Sequence, residues 1–154
     1  MASASLRGSQ DESKDIQLVR KRIDLGKRPP FSDVSQHGYV IKSLWNQFER
    51  LSIQDGLLVR RWVLLPSNRD IYQAIVPDCE RRNVLEMCHD NKTSGHLGVT
   101  KTLAKIRQRY YWPGLQRDVH QYIAGCDTCT KRNNPIPKRR APMQITTSGV
   151  PMER

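Results

Sequence analysis

The chain has 154 residues, with 26 lysines and arginines against 15 aspartates and glutamates and a formal net charge of +11. That length suits one or two small domains, and a hydrophobic share of 37% with 6% aromatics leaves little for a large self-sufficient core. The charge implies a polyanionic partner, nucleic acid ahead of a membrane surface, because no basic amphipathic anchor and no spanning run is evident.

Residues 1–14 are small, polar and charged with no apolar period, so they read as a disordered lead-in, and they lack the apolar centre of a signal peptide. From Asp15, the residues Ile16, Val19 and Ile23 recur at helical spacing. The pattern stops at Gly26, ahead of Pro29-Pro30, which predicts a short helix. Its run of Arg20, Lys21 and Arg22, with Lys27 and Arg28 beyond, reads as a solvated charged face. A second helix is predicted over residues 35–50, where Val40, Ile41, Leu44, Trp45 and Phe48 share a face, the two aromatics reading as core. His37 has no partner at ligand spacing and reads as a surface or capping histidine.

Asp55-Gly56 is a turn signal. The apolar runs Leu57–Val59 and Trp62–Leu65 are separated from Ile71–Val76 by the turn chemistry of Pro66-Ser67-Asn68-Arg69-Asp70, which predicts an antiparallel hairpin. A lone hairpin is marginal in water. Residues 15–76 thus read as an α+β stretch of helices and a hairpin.

Pro77-Asp78 marks the next boundary, with Asp78 the expected N-cap of a helix reaching His89 and Val84, Leu85 and Cys88 its apolar stripe. Further helices are predicted from Val99 to Arg109 (Val99, Leu103, Ile106 and Tyr110 on one face) and from Leu115 to Ala124, capped by Gly125. Trp112-Pro113-Gly114 separates them, since proline bars helix continuation. Residues 77–133 are thus expected to be a helical domain. Residues 134–154, with Pro135, Pro137, Lys138-Arg139-Arg140 and Pro142, read as an extended basic tether. The fold class is mainly α: a small helical bundle preceded by an α+β extension.

The chemistry lies in His89-x6-His96 followed by Cys126-x2-Cys129. Two histidines and a Cys-x-x-Cys pair make up the ligand set of a tetrahedral structural zinc, in which two thiolates cancel the charge of the ion and two neutral imidazoles complete the shell. Four protein ligands leave no open position for a reacting water. Four cysteines without a secretory leader point the same way, to a reducing intracellular compartment where thiols bind metal. Cys88 directly precedes His89 and so points about 100° from that histidine on a helix, as a buried structural thiol; Cys79 reads as a partly exposed free thiol. His120 lies about 100° off its helix's apolar face, and using it would orphan one of the other ligands.

Lys101 and Lys105 are like charges at i, i+4, unfavourable on an isolated helix unless an anion runs past them. With Lys131, Arg132, Lys138, Arg139 and Arg140 they form the candidate phosphate-contacting surface, so DNA is the expected partner.

The His-His-Cys-Cys spacing, with Gly95-His96-Leu97-Gly98, Lys101-Thr102-Leu103 and Tyr110-Tyr111-Trp112-Pro113-Gly114, resembles the N-terminal zinc-binding domain of gypsy-type LTR retrotransposon integrases. The resemblance covers roughly residues 75–133, and more loosely the chain from about Leu44. It implies one zinc ion held by His89, His96, Cys126 and Cys129, DNA positioning or self-association with other integrase copies, and a location in the nucleus or a retrotransposon particle. The family's catalytic residues map onto nothing here. Gly149–Arg154 is similar to the lead-in of the catalytic core, whose acidic residues would lie beyond, so no enzymatic activity is expected of this chain alone. Two other classes are a stand-alone protein-interaction module with structural zinc, and a hydrolase or nuclease, which needs an open metal position or a carboxylate cluster.

Overall fold

The computed structural model describes residues 3–64, 68–91 and 94–132. It opens on a helix, α1 (Ser3–Glu12), where the sequence predicted a disordered lead-in. The correction has a polar cause. Gln10 is fully buried; its Nε2 donates to the carbonyls of Leu58 (3.2 Å) and Ile75 (2.6 Å), while its Oε1 accepts from Leu58 N at 2.8 Å. A buried amide satisfied at both ends resists removal, because its partners would be left without hydrogen bonds. Leu6, also buried, adds an apolar contact.

Helix α2 (Lys14–Asp24) follows the predicted period, burying Ile16 and Val19. A one-turn helix that the sequence did not predict, α3 (Phe31–Val34), comes next, and the single helix expected over 35–50 is instead a shorter one, α4 (Tyr39–Trp45), followed by a 3₁₀ turn at Phe48–Arg50. Gly38 sits at the start of α4 in an extended conformation, which ends any continuous helix there. Ile41 and Leu44 are buried as expected. Trp45 and Phe48 are only half-buried. The Trp45 indole donates to Pro29 O at 2.8 Å and carries the Arg28 guanidinium over its ring at 4.1 Å, so it closes the edge of this module rather than filling its centre.

The sheet contains β1 (Leu51–Gln54), β2 (Leu57–Leu64), β3 (Arg69–Ile75) and β4 (Tyr110–Tyr111), in that spatial order. Asp55 (φ 49°) and Gly56 (φ 75°) both adopt left-handed conformations, the demand of a two-residue hairpin turn that an Asp-Gly pair meets. The predicted β2–β3 hairpin is present, with Val59 opposite Ala74 and Leu64 opposite Arg69. Strand β4, which the sequence did not predict and which follows directly on the predicted end of a helix at Arg109, lies parallel to β3, pairing Ala74 with Tyr110 and Ile75 with Tyr111. The expected boundary after residue 76 is thus bridged by a shared sheet.

A polar cluster reinforces that bridge. Arg60 is 5% exposed; its Nε and Nη2 donate to Gln73 Oε1 at 3.0 and 2.5 Å, and its Nη1 donates to Gln47 Oε1 at 2.6 Å. Its guanidinium carbon lies 3.3 Å from the Tyr111 ring centroid and 4.6 Å from that of Trp62. Burial lowers the Arg60 pKa to about 10, which still leaves it charged at neutral pH.

Beyond the sheet come α5 (Asp78–His89), α6 (Val99–Arg107), α7 (Leu115–Ala124) and α8 (Asp127–Arg132). Pro77, not Asp78, is the N-cap of α5, and Asp78 pairs with Arg81 instead of capping. Val84, Leu85 and Cys88 meet Leu103, Ile106, Leu115, Val119 and Ile123 around Trp112. Trp112 is fully buried and its indole donates to Asp118 Oδ2 at 2.8 Å. The architecture is mainly α with a small sheet. The predicted tether over 134–154 lies outside the described residues, as do Lys138, Arg139 and Arg140.

Candidate metal centre

Four elements of chain deliver four donor atoms to one point. His89 is the last residue of α5 and fully buried; Cys129 lies in α8 and is also buried. Cys126 stands between the Gly125 cap of α7 and the start of α8. His96 lies in the loop before α6, where Gly95 (φ 58°) and His96 (φ 53°) both take left-handed backbone conformations. That geometry costs a non-glycine residue roughly 1–2 kcal/mol, and it sits at a site where the side chain has a defined direction to take.

The donor atoms of His89, His96, Cys126 and Cys129 all lie within 4.8 Å of one another. His89 Nε2 is 3.3 Å from Cys129 Sγ, His96 Nδ1 is 3.5 Å from Cys126 Sγ, and the two nitrogens are 3.5 Å apart. A tetrahedral zinc with bonds of about 2.0–2.1 Å to nitrogen and about 2.3 Å to sulfur separates N from N by about 3.4 Å and N from S by about 3.6 Å. The quartet is therefore positioned to hold one metal ion, and its two-nitrogen, two-sulfur chemistry suits zinc.

The surrounding bonds orient the donors. His89 Nδ1 lies 3.0 Å from Leu97 O; donation from Nδ1 to that carbonyl leaves the Nε2 lone pair facing the sulfurs. Leu97 O also accepts from Thr102 Oγ1 at 2.9 Å, which ties the loop to α6. His96 O lies 3.8 Å from Cys129 Sγ. Burial, and then the neighbouring Cys126 sulfur, raise the Cys129 thiol pKa. Two thiols in one small volume resist losing their protons, and a divalent cation supplies the charge that reverses this.

The rival ligands are placed elsewhere. Cys88 is buried in the bundle core and Cys79 is exposed, while His120 is exposed and His37 half-buried. Among the phosphate-binding candidates, Lys101, Lys131 and Arg132 are exposed and Lys105 is half-buried. Lys105 Nζ donates to Ser94 Oγ and Arg132 Nη1 donates to Gly95 O at 3.3 Å, so both converge on the loop that carries His96. Asp90, next to His89, was not singled out by the sequence, yet its carboxylate stands beside both histidine nitrogens. Simple adjacency in sequence carried no signal for it.

Residues 76–135 match the family model described as the integrase zinc binding domain. The chain is 34% identical over 62 residues to gypsy retrotransposon integrase-like protein 1 of Homo sapiens, an alignment that covers 40% of this chain and 12% of that protein. It is 32% identical over 72 residues to the protein of the same name from Mus musculus, covering 45% of this chain and 14% of that one. A retrovirus-related Pol polyprotein from transposon 412 of Drosophila melanogaster is 38% identical over 48 residues, covering 30% of this chain and 4% of its own length. Each alignment thus spans a small part of the relative's own length, while the family match over 76–135 contains all four donor residues.

Proposed function

We propose, from the premise that this chain belongs through residues 76–135 to the integrase zinc-binding domain family, that it holds one structural zinc and uses the surface thus fixed to position DNA. The observation that carries the reading is the convergence of two nitrogens and two sulfurs at tetrahedral separations. His89, His96, Cys126 and Cys129 are the ligands in this reading. The ion neutralises the two thiolates and ties the end of α5 and the loop before α6 to α8, a cross-link that so small a bundle needs. A shell filled by protein gives the metal a role in folding and leaves phosphoryl transfer to other groups.

DNA binding is assigned to Lys101, Lys105, Lys131 and Arg132, with Lys138, Arg139 and Arg140 extending the same basic character along the sequence. These side chains bind phosphate and carry no base readout. Residues 15–76 act as an extension that buttresses the zinc-binding region through the shared sheet, and the setting is intracellular, in the nucleus or an element particle. No helix among the described residues is long and apolar enough to cross a membrane.

The test is DNA affinity as a function of salt for the zinc-loaded chain. A steep inverse dependence supports the reading, and a flat one contradicts it. A second reading, association with other integrase copies or a protein partner, draws support from the exposed apolar side chains at the far end of the β2–β3 hairpin, Trp62 and Leu64 on one face and Val63 and Tyr72 on the other. Sedimentation of the free chain and of a Trp62→Glu variant distinguishes it, since only the protein-association reading makes self-association depend on that side chain.

A further inference from the structure

The four donors do not complete the polar surroundings of this centre. Asp90 Oδ1 lies 3.7 Å from His96 Nδ1 and 3.8 Å from His89 Nε2, the same two nitrogens that face the sulfurs. Both separations are too long for a hydrogen bond, so the carboxylate stands over the edge between the imidazoles without bonding to either. Its other oxygen is committed: Asp90 Oδ2 accepts from the Tyr122 hydroxyl. The Tyr122 ring in turn packs edge-on against His89, with centroids 5.8 Å apart and an interplanar angle of 89°. One tyrosine thus fixes both a ligand and a carboxylate. The pair lines a cleft of about 650 Å³ that also reaches Cys126.

The electrostatic setting gives that carboxylate something to do. The chain carries +11, and two cations stand on the histidine loop itself, Lys105 on Ser94 and Arg132 on Gly95. A field of that sign opposes the approach and retention of a divalent cation. Building on the metal reading above, we propose that Asp90, held by Tyr122, is an outer-sphere positioning residue of the metal centre that strengthens its hold on the cation without becoming a ligand. Asp90 offsets the local positive charge a few ångströms from the donors, while Tyr122 holds the solvent-exposed carboxylate in place beside the two histidines.

The experiment is zinc affinity of the full chain by competition with a chromophoric chelator, for the natural sequence, Asp90→Asn and Tyr122→Phe, with cobalt absorption as the ligand-field readout. Asp90→Asn is expected to weaken zinc binding measurably, by less than the roughly 10- to 100-fold that loss of a partner hydrogen-bonded to a ligand costs, and Tyr122→Phe to weaken it by less still. The gap between Asp90→Asn and the natural sequence should narrow in high salt, which screens charge but does not repair a folding defect. The cobalt bands should keep the intensity of a four-coordinate site in all three proteins. Equal affinity for Asp90→Asn and the natural chain overturns the proposal, as does a cobalt spectrum that changes on removal of the carboxylate, which would make Asp90 a direct ligand. Failure of the natural chain to bind one equivalent of zinc would instead remove the metal reading on which this one rests.

Discussion

Lys105 and Arg132, drawn from α6 and the end of α8, reach consecutive residues of one loop, Lys105 donating to the Ser94 hydroxyl and Arg132 to the Gly95 carbonyl at 3.3 Å. The loop is the one that carries His96. The basic surface and the metal site are therefore parts of one construction, and organisation of the loop by metal should present the cations together.

That convergence makes a prediction for DNA binding. The double variant Lys101→Glu, Lys105→Glu should bind more weakly and lower the slope of log affinity against log salt by roughly 2, at about 0.9 for each duplex phosphate no longer neutralised. Fluorescence anisotropy across a salt series measures it. Identical slopes for the two proteins would detach these lysines from the interface.

The buried Arg60 cluster predicts a stability effect remote from the metal. Arg60→Met leaves the Oε1 atoms of Gln73 and Gln47 without their donor and should cost about 1.5–3 kcal/mol, the range for hydrogen bonds to a charged group. Urea unfolding of the zinc-loaded protein would show it as a lower midpoint. An unchanged midpoint would mean the guanidinium is replaceable by apolar packing.

Gly95 supplies a backbone test. A Cβ placed there meets nothing within 4 Å, but φ is +58°, so Gly95→Ala should cost roughly 1–2 kcal/mol from conformation alone. Because His96 comes directly after it, zinc affinity should fall together with stability. Loss of one without the other would separate loop conformation from ligand placement.

Two phenols govern behaviour at high pH. Burial raises the Tyr110 pKa, and burial followed by the hydrogen bond to Asp90 raises that of Tyr122. In the unfolded chain these groups ionise near pH 10, so above that pH the folded chain holds more protons than the unfolded one. Their contribution to stability is present below about pH 10 and is lost as pH climbs through the folded values. Ultraviolet titration should show two late-ionising tyrosines and an unfolding midpoint that falls in step with them.

The parts of this structure legible from sequence were those whose signal is local. The stripes of α5 and α7, the Asp55-Gly56 turn and the paired ligand spacings lie within a dozen residues each, and each is present where the residues placed it. The illegible parts depend on distant partners. Helix α1 has no apolar period because its anchor is Gln10, and an amide reads as surface until Leu58 and Ile75 are seen beside it. Strand β4 is two residues long and exists only because β3 lies alongside. Arg60, standing next to Arg61, reads as solvated in the sequence until Gln47, Gln73 and Tyr111 are seen to surround it.

The most direct test of the central claim is removal of the metal. The protein purified in zinc should contain one equivalent, and titration with a strong chelator, followed by far-ultraviolet circular dichroism, should abolish most of the helical signal of residues 78–132 and restore it on adding zinc back, since structural zinc contributes roughly 10–16 kcal/mol in finger peptides at neutral pH. Helicity that survives complete metal removal would contradict it.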